Sequence, residues 1–160
     1  MNEEPEIIDS SKMEVLSEFP LEYENDEEIT KAESTAGIKL YVGIMENDVI
    51  ISSLSRNTHE VRGDLVVEKQ NILFVAESIK ELLNRDKPWE ESIKKESGKD
   101  KLLIYYSSSW AHNLPAPFER VVVRNRRNYV VDRLESTFLG LELPPKMAQR
   151  FADEITKLFK

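Results

Sequence analysis

The sequence predicts an α+β fold: two related halves, each an antiparallel sheet followed by a helix, preceded by a disordered acidic arm. Three observations carry this expectation. Short runs of apolar residues alternate with period two, the spacing of half-buried strands. Twice along the chain that period gives way to three- and four-residue apolar steps, the spacing of an amphipathic helix. Charge is also divided unevenly, since residues 1–35 hold 12 Asp/Glu against 2 Lys while the remaining 125 residues of the 160 carry a small basic excess.

Residues 1–35 have low hydrophobic density and closely spaced carboxylates, so they bury too little apolar surface to offset the entropy of ordering. They are expected to be disordered and dispensable for stability. Within them Val15, Leu16, Phe19, Leu21 and Tyr23 are interleaved with Glu14, Glu18, Glu22 and Glu24, a pattern that suits docking onto something basic and apolar such as a protein partner, with a merely solvated tail as the commoner outcome. Residues 36–160 form the single domain, with half-repeats at 37–85 and 101–160 and a connector at 86–100.

In the first half, Ile38, Leu40, Val42 and Ile44 alternate as a strand, and Asn47-Asp48 turns the chain into Val49-Ile50-Ile51. A further strand covers Leu65-Val66-Val67. Asn71 is the expected N-cap of a helix whose stripe is Ile72, Val75, Ala76, Ile79, Leu82 and Leu83. In the connector, Pro88, the Glu90/Lys94 and Glu91/Lys95 pairs and Gly98 predict a short surface helix. The second half reads as strands at 102–107, 118–125, 129–135 and 137–143. Pro144-Pro145 then opens a helix striped by Met147, Phe151, Ile155, Leu158 and Phe159. The two helices are expected to pack together or against one sheet side.

The halves match in more than order. Ala76, Ile79, Leu82 and Leu83 superpose on Ala152, Ile155, Leu158 and Phe159 at an offset of 76, and Leu65, Val67 and Glu68 on Leu139, Leu141 and Glu142 at 74. Duplication explains this as a degenerate repeat; coincidence between two strand-helix pairs is the alternative.

Catalytic chemistry is poorly supplied. The chain has no cysteine and only two histidines, His59 and His112, without metal-ligand spacing. Ser107-Ser108-Ser109 lacks the G-x-S-x-G context of an activated serine, and neither a P-loop nor a dinucleotide fingerprint is present. No enzyme activity, catalytic residue, metal or cofactor is therefore expected. Lack of cysteine, of a secretory leader and of any apolar run near the ~18 residues of a membrane span leads to the expectation of a cytoplasmic protein without membrane contact.

Binding chemistry is better supplied. Residues 101–134 hold Lys101, Arg120, Arg124, Arg126, Arg127 and Arg133 against Glu119 and Asp132. If 118–126 is a strand, Val121 and Val123 face the core and Arg120, Arg124 and Arg126 share the opposite face. Arg127 extends the charge at the turn, and Arg133 shares a face of the next strand with Tyr129. Tyr105, Tyr106 and Trp110 supply aromatic surface. Arginines for phosphates and aromatics for bases suit single-stranded DNA or RNA; the same arginines could instead be a solvated face, with Phe118 and one of Tyr105 and Tyr106 in the core.

The stretch Arg120-Val-Val-Val-Arg124 through Phe138-Leu-Gly-Leu-Glu-Leu-Pro-Pro145 and the closing helix resembles the positive cofactor four and Whirly-type single-stranded-DNA-binding fold, and the related Pur-type repeats. Tyr41 to Leu83 repeats the order but lacks the Gly-x-x-Leu-Pro approach to its helix. The resemblance implies two sheet-then-helix units and binding of a single-stranded nucleic acid. Its rival is a protein-interaction or inhibitor module, viral or regulatory, whose arm mimics a nucleic acid. Homo-oligomerisation fits either reading.

Overall fold

A computed structural model describes residues 4–20, 38–55, 61–109, 118–131 and 140–160. The architecture is α+β. Along the chain run β1 (Glu6–Ile8), a 3-10 turn (Ser10–Lys12), β2 (Glu14–Pro20), β3 (Ile38–Met45), β4 (Asp48–Ser55), β5 (Val61–Glu68) and α1 (Lys69–Leu83). There follow β6 (Ile93–Ser97), β7 (Asp100–Ser109), β8 (Phe118–Asn125), β9 (Tyr129–Val131), β10 (Gly140–Leu143) and α2 (Pro145–Phe159). One antiparallel sheet has the order β2-β3-β4-β5 and leads into α1; the other has the order β6-β7-β8-β10 and leads into α2. The short strands β1 and β9 pair in parallel outside both.

Alternation decides which face of each sheet is dry. Leu40 and Val42 on β3, Val49 and Ile51 on β4, and Leu65 and Val67 on β5 turn one way and are fully buried. Leu102 and Ile104 on β7, Val121 and Val123 on β8, and Leu141 and Leu143 on β10 do the same in the second sheet. These inner faces share one core with Ile72, Val75, Ala76, Ile79 and Leu82 of α1 and Met147, Phe151, Ala152 and Ile155 of α2. Each large aliphatic so buried is worth roughly 1.5–3 kcal/mol against exposure. The helices pack on one another, and Lys80 Nζ donates to Thr156 Oγ1 at 2.9 Å. Those two residues are 76 apart, the helix offset of the repeat, so equivalent positions of the two halves meet where the helices cross.

Four local expectations are corrected. The first concerns the arm: residues 6–20 are not an unstructured leader, because β2 completes the first sheet against β3 and β1 pairs with β9. What the acidic composition hid is a close approach. An added Cβ at Gly43 would lie 2.8 Å from the Glu14 carbonyl oxygen, so the absence of a side chain there lets β2 lie flat, with a bulge between Val15 and Ser17. Phe19 then meets Phe151 edge-to-face at 6.2 Å, and Ser17 Oγ donates to Glu154 Oε1 at 3.0 Å, which ties this edge strand to the helix of the other half. Residues 21–37 lie outside the described residues.

Second, the connector forms no helix over 88–98: 93–97 is β6, joined to β7 by Gly98-Lys99 with Gly98 at φ 60. A left-handed glycine at a two-residue hairpin loop serves the turn, and cross-strand pairing outweighs the weak i,i+4 ion pairs that suggested a helix. Third, the β3–β4 loop is Glu46-Asn47, one residue earlier than expected, with Glu46 at φ 55. Fourth, Asn71 is not the N-cap of α1. The helix begins at Lys69, and buried Asn71 donates through Nδ2 to Asp100 Oδ2 at 2.8 Å and to the Ser97 carbonyl at 3.2 Å. The Asp100 carboxylate also accepts from the Glu68 amide at 2.9 Å, so the first residue of β7 in the second sheet serves the helix N-terminus, where negative charge is favoured. α2 starts as expected, with Pro145 at its first turn.

Candidate nucleic-acid interface

The sheets differ on their outer faces. On the first, Ile50 and Val66 are fully buried beneath Ile8 and Tyr129, with Met13 and Met45 beside them. On the second sheet, alternation aims Lys101, Leu103, Tyr105 and Ser107 of β7 outward, because Leu102, Ile104 and Tyr106 point to the core. Register places Lys94 of β6 and Arg124 of β8 on either side of Leu103, and Val122 beside Tyr105. Arg126 follows the strand, its amide donating to the Lys101 carbonyl at 3.0 Å. A concavity of about 590 Å³ opens between these rows, lined by Lys94, Glu96, Lys101, Leu103 and Arg126 among others. The side chains of Lys94, Lys101 and Arg126 form no ion pair among the described residues. Lys95 turns to the helix side, its Nζ 4.6 Å from the Phe74 ring centre.

The expected site residues separate by environment. Arg124 and Arg126 are exposed, and Tyr105 is half-buried on the outer face. Arg120 shares that face by alternation but is buried, with Nη1 donating to the Glu119 carbonyl at 2.8 Å. Tyr106 is corrected: it packs against the core. Burial pushes its hydroxyl pKa far up, and its hydrogen bond to Glu119 pushes it further. Trp110 and Arg133 lie outside the described residues, as do His59 and His112.

Arg127 and Tyr129 are the larger correction, because both belong to the interior. The Arg127 side chain is 3% exposed and pairs through Nη1 and Nη2 with the two oxygens of Asp48 at 2.7 and 3.0 Å. Nη2 also meets Glu6 Oε2 at 2.6 Å, and Asp100 Oδ1 is 3.8 Å from Nη1. Burial alone would lower the guanidinium pKa, but the Asp48 and Glu6 carboxylates more than reverse that and hold it charged. Its Nε is buried without a hydrogen-bond partner among the described residues. Asn125 locks the surroundings with every polar capacity used. Its Nδ2 donates to Val66 O and Asp100 Oδ1 at 2.8 and 2.9 Å, and its Oδ1 accepts from the Lys101 and Arg127 amides at 2.9 and 3.1 Å. The Tyr129 hydroxyl accepts from the Val66 amide at 3.3 Å. This network joins both hairpin turns, β5, α1 and β8, so it holds the halves together.

Lys94 and Leu103 enter the candidate face although the sequence reading passed over them, and Lys101 joins it from the basic segment. The signal was present in the alternation of 102–106, which fixes the outward row once the inward one is known; Lys94 was hidden by the helical reading of the connector. No group of three or more His, Cys, Asp or Glu that could hold a metal occurs among the described residues, and no helix among them is long and apolar enough to cross a membrane. No protein-family model matches the chain, and no curated protein matches it.

Proposed function

We propose that this is a non-catalytic single-stranded nucleic-acid-binding protein whose ligand lies on the outer face of the second sheet. One observation carries the reading: a concavity of about 590 Å³ lies on the outer face of the second sheet among Lys94, Lys101 and Arg126, next to the exposed Arg124 and the half-buried Tyr105. Cations there meet phosphates, and a ring two residues along the same strand from Leu103 meets a base, each stacked base contributing about 1–3 kcal/mol. A ring stacks on bases only where they are unpaired, so single strands suit this face better than a duplex, whose stacking faces are hidden. The likeness to Whirly-type and Pur-type units is part of the proposal, and two four-stranded antiparallel sheets, each leading into a helix, support it.

Fluorescence anisotropy with a labelled oligothymidylate, titrated across salt, tests this. Affinity should fall with a log-log slope of roughly −0.7 per phosphate neutralised, and Lys94→Ala with Lys101→Ala and Arg126→Ala should make the slope shallower by about 2 on the same basis. An unchanged slope in the folded triple variant would move the ligand elsewhere; no binding at low salt would end the reading.

A further inference from the structure

The groove that holds β1 is built more firmly than the strand in it. β1 has three residues, and its parallel pairing with β9 is the weaker kind of ladder. Its anchors are two side chains: Ile8 is buried in the cluster with Ile50, Val66 and Tyr129, and Glu6 meets Arg127 at 2.6 Å and Lys99 at 2.8 Å. Between them Ile7 is 52% exposed. The receiving side also has contacts of its own outside β1. Arg127 is already held by both oxygens of Asp48, Lys99 stands on the Gly98 hairpin with its amide donating to Glu68 Oε2 at 3.1 Å, and Tyr129 is fixed through the Val66 amide. A cationic pair, an apolar seat and a strand edge that pairs with only three residues of β1 are the components of β-strand addition, in which backbone pairing gives affinity and alternate side chains give specificity.

We infer that the β9 edge, with Arg127, Lys99 and the Ile50–Val66–Tyr129 seat, is a docking site for an extended peptide segment of a partner protein. The segment carries a carboxylate two residues ahead of an aliphatic side chain, and residues 6–8 occupy the site in cis. Charge complementarity selects the first position, because two cations converge on one carboxylate. Burial selects the third, and the second faces out and is unconstrained. The inference stands apart from the nucleic-acid face, which lies on the other sheet.

The probe is a fluorescein-labelled peptide with the sequence of residues 4–10. The first receptor is the full chain carrying Glu6→Gln and Ile8→Asp, which loses both anchors. It should bind the peptide saturably and at least about tenfold tighter than the wild type, whose own strand competes at an effective concentration of ~mM, and the peptide should raise its melting temperature. A peptide carrying Glu6→Gln should bind at least about tenfold more weakly, the loss expected for a charge-assisted contact. The second receptor carries Ile7→Cys and Val130→Cys, which face each other in the ladder. The natural chain has no cysteine, so the single disulfide ties β1 to β9. The oxidised chain should refuse the peptide, and reduction should restore wild-type binding; this arm remains informative if the first variant fails to fold. Equal binding to oxidised and reduced chains, indifference to Glu6→Gln in the peptide, or no binding to any form overturns the inference. A dimer of the reduced Ile7→Cys, Val130→Cys chain that disappears on its oxidation gives the site to a second copy and overturns its assignment to a separate partner.

Discussion

Replacing Arg127 with Met separates a structural cation from a ligand-binding one. The guanidinium is almost fully buried and holds the Asp48 carboxylate through two hydrogen bonds, with Glu6 and Asp100 beside it. Removing it leaves Asp48 and the fully buried Asp100 without their cation, and breaking a buried pair from one side costs about 3–5 kcal/mol. For a chain of 160 residues, at about 2–4 °C per kcal/mol, the melting temperature should fall by roughly 6–20 °C. Arg127→Lys keeps the charge but loses the bidentate fork and should fall between. Circular dichroism gives the melting shift, and anisotropy below the transition gives the affinity of the folded variant for oligothymidylate, which should stay within about threefold of wild type because the residue is far from solvent. Unchanged melting with lost binding would show that Arg127 faces the ligand and that the buried network is misassigned.

Acid should release the first strand before the domain unfolds. Burial pushes the Glu6 carboxyl pKa up, but its hydrogen bonds to Lys99 and Arg127 outweigh this and leave it below the ordinary 4.5. A depressed folded-state pKa gives stability that is present above the unfolded value and lost as pH falls through the folded one. The β1–β9 amides should therefore lose exchange protection below about pH 4.5, and Glu6→Gln should abolish that dependence; identical acid limbs would refute the role of Glu6. Gly43→Val should destabilise by roughly 1–3 kcal/mol, because its Cβ would meet the Glu14 carbonyl, and β2 amides should exchange faster while those of α1 do not. Deleting residues 1–20 should cost at least about 3 kcal/mol, since it opens the edge-to-face contact on Phe151; a melting temperature equal to wild type would restore the dispensable arm.

The sequence revealed features governed by local periodicity and concealed those set by distant partners. Val42, Val49 and Ile51 alternate, and Ile72, Val75 and Ile79 step by three and four, so those strands and α1 were legible, as was α2 from Pro145 and Phe151. β6 was not, since Glu90/Lys94 and Glu91/Lys95 satisfy helical spacing while the partner that makes 93–97 a strand comes after the Gly98 turn. β2 was hidden by its carboxylates. Its place depends on Gly43 and Phe151, and no local pattern connects them. Alternation along 118–126 put Arg124 on the outer face, but which of Tyr105 and Tyr106 faces the core stayed open until the core contacts of Tyr106 were known. Arg127 and Tyr129 were misread because an arginine beside a turn looks solvated until Asp48, 79 residues away, is known to face it.

The location of the ligand is tested most directly by photocrosslinking. An oligothymidylate carrying 4-thiothymidine, irradiated on the 160-residue chain and mapped by mass spectrometry, should form adducts within 101–107, centred on Tyr105, with others near Lys94 and Arg126. Tyr105→Ala should remove the principal adduct and weaken binding by about 1–3 kcal/mol while leaving the fold intact. Adducts on the outer face of the first sheet, or unchanged crosslinking by the Tyr105→Ala chain, would contradict the account.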